Sequence, residues 1–311
     1  MNRIAPLLVL IALAVVPLFI GPFYVDLGSQ MLIAAIFALG LNLLVGYAGL
    51  TSLGHAAFLG FSAYVCALTS TRLGLNHVEA AALAIGGTTV LAALFGMVAL
   101  RATGLGFLMI TLAMSQVLWG LAYRWESLTN GDNGVTGVTR PHIFGFSLDS
   151  ARPFYWFTLA VATVSFAFIA MFAASTFGSV LQGTRDQPRR MRALGYNVWL
   201  IRWITFTYAG FWGGVAGLLY VYYNEYIHPT ALSLTASAEP LLAVIAGGAG
   251  TLTGPIVGAA LLVFLKIYAS TYIERWNMLL GVIFVLIVLL MPDGIVPSVT
   301  RLFSARKAKA R

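Results

Sequence analysis

Residues Gly40 to Tyr64 read G-L-N-L-L-V-G-Y-A-G-L-T-S-L-G-H-A-A-F-L-G-F-S-A-Y. They lie inside an apolar region long enough to enter a membrane, yet Gly46, Gly49, Thr51, Ser52, Gly54 and His55 interrupt it at the centre. Lipid offers no hydrogen bonds, so irregular backbone at membrane depth is tolerated only where it is buried in protein or lines a wet cavity. The stretch predicts a polytopic membrane protein with a polar element at its middle.

The composition agrees. The 311 residues are 60% hydrophobic and 9% charged, with a mean hydropathy of +0.90, whereas soluble domains carry roughly 25% charged residues. The formal net charge of +8 is concentrated in two places. Residues 174–198 hold Arg185, Arg189, Arg190 and Arg192 against Asp186, and the tail from Asp293 holds Arg301, Arg306, Lys307, Lys309 and Arg311. Both segments flank apolar spans, which is the pattern of the positive-inside bias and places both in the cytoplasm. No basic surface interleaved with aromatic residues points to nucleic acid. The single cysteine, Cys66, has no disulfide or metal partner and reads as a small packing residue.

Outward from the opening stretch, residues 4–21 form a first apolar segment after Arg3, without a small-x-small cleavage site, and read as a retained helix. Residues 22–28, with Asp26, read as a short outer connection. Helices are expected at about 78–100 and 105–123. The loop at 125–153 is rich in Gly, Asn, Asp and Pro and carries net negative charge, which places it outside. A helix over 154–173 then leads inward to the Arg-rich segment, and one over 199–222 leads out, with Gly210, Gly213, Gly214 and Gly217 permitting close helix approach. Residues 223–238 form an outer connection. A second apolar region, 239–270, is broken at G-G-A-G-T-L-T-G-P (Gly247 to Pro255), and a final helix covers 277–291.

Orientation constrains the broken elements. With the Arg-rich segment and the tail both cytoplasmic, 199–222 and 277–291 are one crossing each, so 239–270 must begin and end outside. With the N-terminus inside, counting back from the outer loop gives the same result for 29–70. Each is either a re-entrant pair of half-helices or two short spans meeting at the break. The breaks also resemble each other, A-G-L-T-S-L-G-H-A-A-F-L-G (Ala48 to Gly60) beside A-G-T-L-T-G-P-I-V-G-A (Ala249 to Ala259), as internal repeats of transporters do. The expected fold is all-α: a polytopic bundle of about 8–10 spans with two broken or re-entrant elements in an internal repeat. One transmembrane domain covers 1–311, with repeat halves at 29–124 and 199–291, a cytoplasmic segment at 174–198 and the external loop at 125–153.

The candidate pathway residues are Gly49, Thr51, Ser52, Gly54 and His55 at the first break and Gly250, Thr251, Thr253, Gly254 and Pro255 at the second. Pro255 suits a first helical position after Thr253 or Gly254, and Thr51 or Ser52 suits a cap. The free N–H groups of half-helix N-termini favour an anion such as a substrate carboxylate; alternatively, the glycines serve tight crossing and the hydroxyls bond backbone. His55 either titrates or contacts substrate, or ties down the break as a neutral hydrogen-bonding residue. No acidic relay falls in any span, and Glu239 reads as a helix-start charge. Around Arg189, Arg190 and Arg192, Met191, Leu194 and Val198 recur at helical spacing, which fits a docking helix for a cytoplasmic partner or a helix lying on anionic lipid.

Four pieces resemble the permease subunits of bacterial branched-chain amino-acid (Liv-type) ABC importers, in the family's order and over nearly the whole chain. They are G-L-N-L-L-V-G-Y-A-G-L-T-S-L-G-H-A-A-F-L-G, T-N-G-D-N-G-V-T-G, R-D-Q-P-R-R-M-R-A-L-G-Y-N and E-P-L-L-A-V-I-A-G-G-A-G-T-L-T-G-P-I-V-G-A. The resemblance implies a multi-pass protein of the bacterial inner membrane, a homologous second permease, two cytoplasmic ATPase subunits that bind the ATP, an extracytoplasmic solute-binding protein and an amino-acid-like substrate. It implies no cofactor, metal or catalytic residue in this chain, which has no P-loop of its own. By resemblance, Arg185, Asp186, Arg189, Arg190, Arg192 and Gly195 belong to the coupling helix seated in the ATPase, with Pro188 a departure that shortens or delays it. Relatives of this kind handle amino acids, urea or short amides, and small aromatic acids. The rivals of other classes are an ion-coupled secondary transporter and a membrane scaffold.

Overall fold

The computed structural model describes residues 4–143, 146–272 and 276–301. Arg3, the Glu274–Arg275 turn and the tail residues Arg306, Lys307, Lys309 and Arg311 lie outside them. The chain begins with α1 (Ile4–Phe19) and re-enters a helix at once with α2 (Pro22–Asn42). Residues 22–28, expected as a connection, are therefore helical. Pro22 occupies the first turn behind an extended Gly21, where a missing N–H costs nothing and the fixed φ suits the helix. The end of α2 loosens into a π-helical turn, Leu43–Ala48, and the chain returns as α3 (His55–Thr71).

Next come α4 (His77–Ala99), started by an Asn76/Glu79 capping box, and α5 (Leu105–Arg124). The long loop after α5 holds the one-turn α6 (Glu126–Thr129) and three two-residue strands, β1 (Val135–Thr136), β2 (His142–Ile143) and β3 (Phe146–Ser147). Helix α7 (Ala151–Ala174) leads to α8 (Thr176–Asp186) and α9 (Pro188–Ala193), and the long α10 (Val198–Asn224) follows. After β4 (Tyr226–Ile227), α11 (Leu234–Gly247) and α12 (Gly254–Tyr272) flank the second break, and α13 (Trp276–Leu290) closes the described bundle.

Among the described residues, six helices are long and apolar enough to cross a membrane: α2 with its π turn, α4, α5, α7, α10 and α12. The protein is an all-α, multi-pass membrane protein. Burial divides these spans into layers. The most apolar window is 78% buried in α2 and 67% in α10, against 22% in each of α4, α5 and α7. Helix α10 packs along α3, α4 and α2, and α2 packs against α7 and α12. The outer helices present Val78, Val90, Leu105, Val117 and Met171 away from the bundle, a surface that suits lipid and not water. At the centre, Ser62 Oγ donates to the carbonyl of Gly214 at 2.7 Å, and a methyl at Gly217 would overlap the backbone of Leu59.

The two ends of the bundle are distinct. At one end β1 pairs antiparallel with β4, Val135 opposite Ile227. There Arg140 meets Glu225 at 3.1 Å, and Arg72 Nη1 donates to the Ser127 carbonyl at 2.6 Å. The connections after α3, α5 and α10 thus share the loop end. At the opposite end lie α8, α9 and residues 293–297, which touch Gly248. Both broken elements start and finish at the loop end. With its π turn, α2 is 27 residues long, so the first element crosses and returns.

Candidate functional site

The two breaks meet. Asn42, buried at the end of α2, spans them with its amide: Nδ2 donates to the Thr251 carbonyl at 2.9 Å, and Oδ1 accepts from the Gly250 N–H at 2.9 Å. Close approach requires a glycine here, because a Cβ on Gly46 would overlap both Gly250 and Asn42. The turn ends at Gly49 with φ 68°, a left-handed conformation that glycine adopts without penalty.

The last carbonyls of any helix lack partners within it. Here the Leu44 carbonyl is taken by the Leu50 N–H at 2.8 Å, while the Gly46 carbonyl accepts from Arg185 Nη1 at 2.6 Å. Arg185 is the penultimate residue of α8; its stem lies over Gly49, and its Nε binds Asp186 at 2.8 Å. Along α2, Gln30, whose amide donates to the Tyr223 hydroxyl near the loop end, precedes Gly46 by sixteen residues, or about 24 Å. The breaks therefore sit near the basic-segment end, whereas the sequence reading set the polar element at the middle of the membrane.

At the start of α3, Ser52 Oγ accepts from the Gly54 N–H at 3.2 Å, and Ser237 Oγ of α11 accepts from the Ala56 N–H at 3.2 Å. At the start of α12, Thr251 Oγ1 accepts from the Gly254 N–H at 3.0 Å, with Pro255 as the second helical residue. Protein hydroxyls thus cover donors that an anionic ligand would use, which favours a joint between helices over an anion site at these termini. Thr51 and Thr253 are exposed, whereas Ser52 and Gly54 are buried. His55 is fully buried. Its ring stacks on Phe37 with centroids 4.9 Å apart and meets Phe58 edge-on at 5.6 Å. Neither ring nitrogen has a hydrogen-bond partner among the described residues, so it does not tie the break down by hydrogen bonding; its contact is aromatic.

The basic segment forms two helices where one short helix was expected. Ser175 caps α8 by accepting from the Gly178 N–H. Pro188 breaks the chain after Asp186 and starts the six-residue α9 at its first position, so the proline shortens this helix. Met191 packs on Gly183 and folds α9 back onto α8. Arg189, Arg190 and Arg192 are exposed, and Gly195 ends α9 with φ 87°. Arg202 of α10 anchors the pair by donating to the Thr184 carbonyl at 3.0 Å.

Two features were missed. Asn42 and Lys266 are visible in the sequence as polar residues inside apolar runs, a signal of function in membrane helices, but neither was singled out. Glu239 lies five residues inside α11, not at its start, and Lys266 Nζ meets its Oε1 at 2.7 Å. The pair sits on the wall of a cavity of about 580 Å³ between α2, α10, α11 and α12.

The two broken elements of the bundle join beneath a mainly apolar cavity that carries the Glu239–Lys266 pair, and paired discontinuous helices of this kind recur in transporters. Comparison with known proteins agrees. "High-affinity branched-chain amino acid transport system permease protein LivM" of Escherichia coli (strain K12) is 27% identical over 317 residues, covering 94% of this chain and 74% of that protein. "High-affinity branched-chain amino acid transport system permease protein LivH" of the same organism is 22% identical over 290 residues, covering 87% and 92%. "Probable branched-chain amino acid transport permease protein LivM" of Methanocaldococcus jannaschii is 27% identical over 183 residues, 53% of this chain and 52% of that protein. No solved structure matches the chain. The profile of the family described as "Branched-chain amino acid transport system / permease component" matches residues 23–290, and the chain belongs to that family.

Proposed function

We propose that this chain is the permease subunit of an ATP-driven importer of the bacterial inner membrane and forms part of the pathway for branched-chain amino acids. Of two cytoplasmic ATPase subunits one seats on α8 and α9, a homologous permease completes the pathway, and an extracytoplasmic binding protein delivers the substrate at the loop end. The observation that carries the reading is the bond from Arg185 to the Gly46 carbonyl. It links the exposed basic segment directly to the joint between the two breaks, so movement imposed on α8 is felt where the pathway closes. The exposed arginines of α9 and the exposed Leu194 beside them supply the charge and apolar contact that a partner protein uses.

The test is uptake by the complex, co-expressed with the second permease, the ATPases and the binding protein and reconstituted in liposomes. ATP-dependent accumulation of labelled leucine, isoleucine or valine is expected. Uptake that survives ATP depletion but collapses with ionophores would overturn the assignment.

A further inference from the structure

We infer that the cavity beside the Glu239–Lys266 pair is a transit site that recognises the zwitterionic head of an α-amino acid. The inference rests on the amino-acid importer reading. The substrate ammonium is placed against Glu239 and its carboxylate against Lys266.

The pair is poorly explained as a structural fastening. A partly exposed ion pair contributes little net stability, so holding these two charges together does little for the bundle. Charges retained within membrane helices mark the path of a substrate or ion. These two are not packed away: the Lys266 side chain is 40% exposed and the Glu239 side chain 31% exposed, and both face the cavity.

The chemistry of the head group matches. An amino acid carries opposite charges one carbon apart, and the protein offers opposite charges in contact at 2.7 Å. A zwitterion laid beside the pair closes a ring of alternating charges that is neutral overall, so neither partner is stripped of its counter-charge as the substrate enters. Ile33, Phe37 and Leu262 form apolar wall beside this ring, where an aliphatic side chain gains by burial. Gln30 adds a polar group on the loop-end side.

Position also fits transit. Glu239 precedes the break at Gly247 by eight residues, about 12 Å of helix, and Lys266 follows Gly254 by twelve, about 18 Å. The cavity thus lies between the loop end and the joined breaks, where a solute would wait above a closed gate. Its volume falls within the roughly 300–1,000 Å³ of ordinary ligand sites.

Two measurements test this. In the reconstituted complex, the variant E239Q/K266M removes both charges of the pair. It should still assemble, and its rate of leucine uptake at saturating binding protein should fall about tenfold or more, as expected for lost charge-assisted contacts. An unchanged value beside a wild-type complex that transports leucine would show a structural bridge only. A wild-type complex that does not transport leucine would instead overturn the importer reading. The second measurement needs no transport. A cysteine at Ala236, on the cavity wall, is labelled with a water-soluble maleimide in the detergent-purified complex. Millimolar leucine should protect it, whereas 4-methylpentanoate and 3-methylbutylamine, each carrying one of the two charges, should not. Absence of protection by leucine, or equal protection by either analogue, overturns the site whatever the variant does.

Discussion

Arg185 Nη1 donates a 2.6 Å hydrogen bond to the carbonyl oxygen of Gly46, a residue 139 positions away in the chain. The donor belongs to the exposed basic segment, and the acceptor lies in the π turn that joins α2 to the first break. Asn42, the last residue of α2 directly before this turn, holds the second break. Three chain segments, the basic one and the two breaks, therefore meet around the end of α2.

Truncating Arg185 removes this link while leaving α8 and α9 in place, because Met191 on Gly183 and Arg202 on the Thr184 carbonyl are untouched. R185A should assemble with the ATPases and hydrolyse ATP, yet import leucine about tenfold more slowly, the scale of one charge-assisted hydrogen bond. The ratio of leucine moved to ATP hydrolysed, measured in liposomes, checks this. A ratio equal to that of the wild type would remove Arg185 from the coupling path.

Asn42 gives a stability prediction. In N42A the partly buried Gly250 N–H and Thr251 carbonyl lose the partner they have in the bundle, a loss of about 0.5–1.5 kcal/mol for each hydrogen bond. Thermal unfolding of the detergent-solubilised protein should shift downward by several degrees, with leucine uptake reduced as the breaks separate. A midpoint identical to that of the wild type would mean that water or another group replaces the amide at no cost.

Much of this architecture was legible because helices in a membrane are dictated by continuous apolar runs. The boundaries expected at 78–100 and 105–123 fall within a residue of α4 and α5. Residues 22–28 were misread because Gly21-Pro22 looks like a turn, although proline at a first helical position favours a start. The depth of the breaks was not legible, because it depends on Arg185 reaching Gly46. Nor was the pairing of Glu239 with Lys266, which are 27 residues apart on opposite arms of a broken element. Neighbouring sequence says nothing about which polar groups a bundle brings together. His55 shows the same limit from the other side: its type promised hydrogen bonding, and the structure gives it Phe37 and Phe58.

The two breaks should be reachable from the basic-segment end. Thr51 and Thr253 are exposed, whereas Ser52 between Thr51 and α3 is buried. In a C66A background, T51C and T253C should react with a membrane-impermeant maleimide in inside-out vesicles and resist it in right-side-out vesicles. S52C should react in neither. Labelling of T51C and T253C from the loop side alone would invert the placement of the gate.

The exposed arginines of α9 bear on how the ATPase is held. Arg189, Arg190 and Arg192 lie on a six-residue helix with no buried residue, so their replacement leaves the bundle's core untouched. Reversing all three exchanges three positive charges for three negative ones beside a docking surface. Like-charge juxtaposition costs several kcal/mol at an interface, whereas an isolated rim charge mainly alters the association rate. R189E/R190E/R192E should therefore still enter the membrane and pair with the second permease, but lose co-purification of the ATPase at physiological salt, and leucine uptake with it. Single substitutions should lose little of either, and raising the salt should weaken the wild-type association, since exposed charges are screened over about 8 Å at 0.15 M. If the triple variant retains the ATPase in full, α9 is not the seat of the docking, and Leu194 and Tyr196, both exposed, become the residues to replace next.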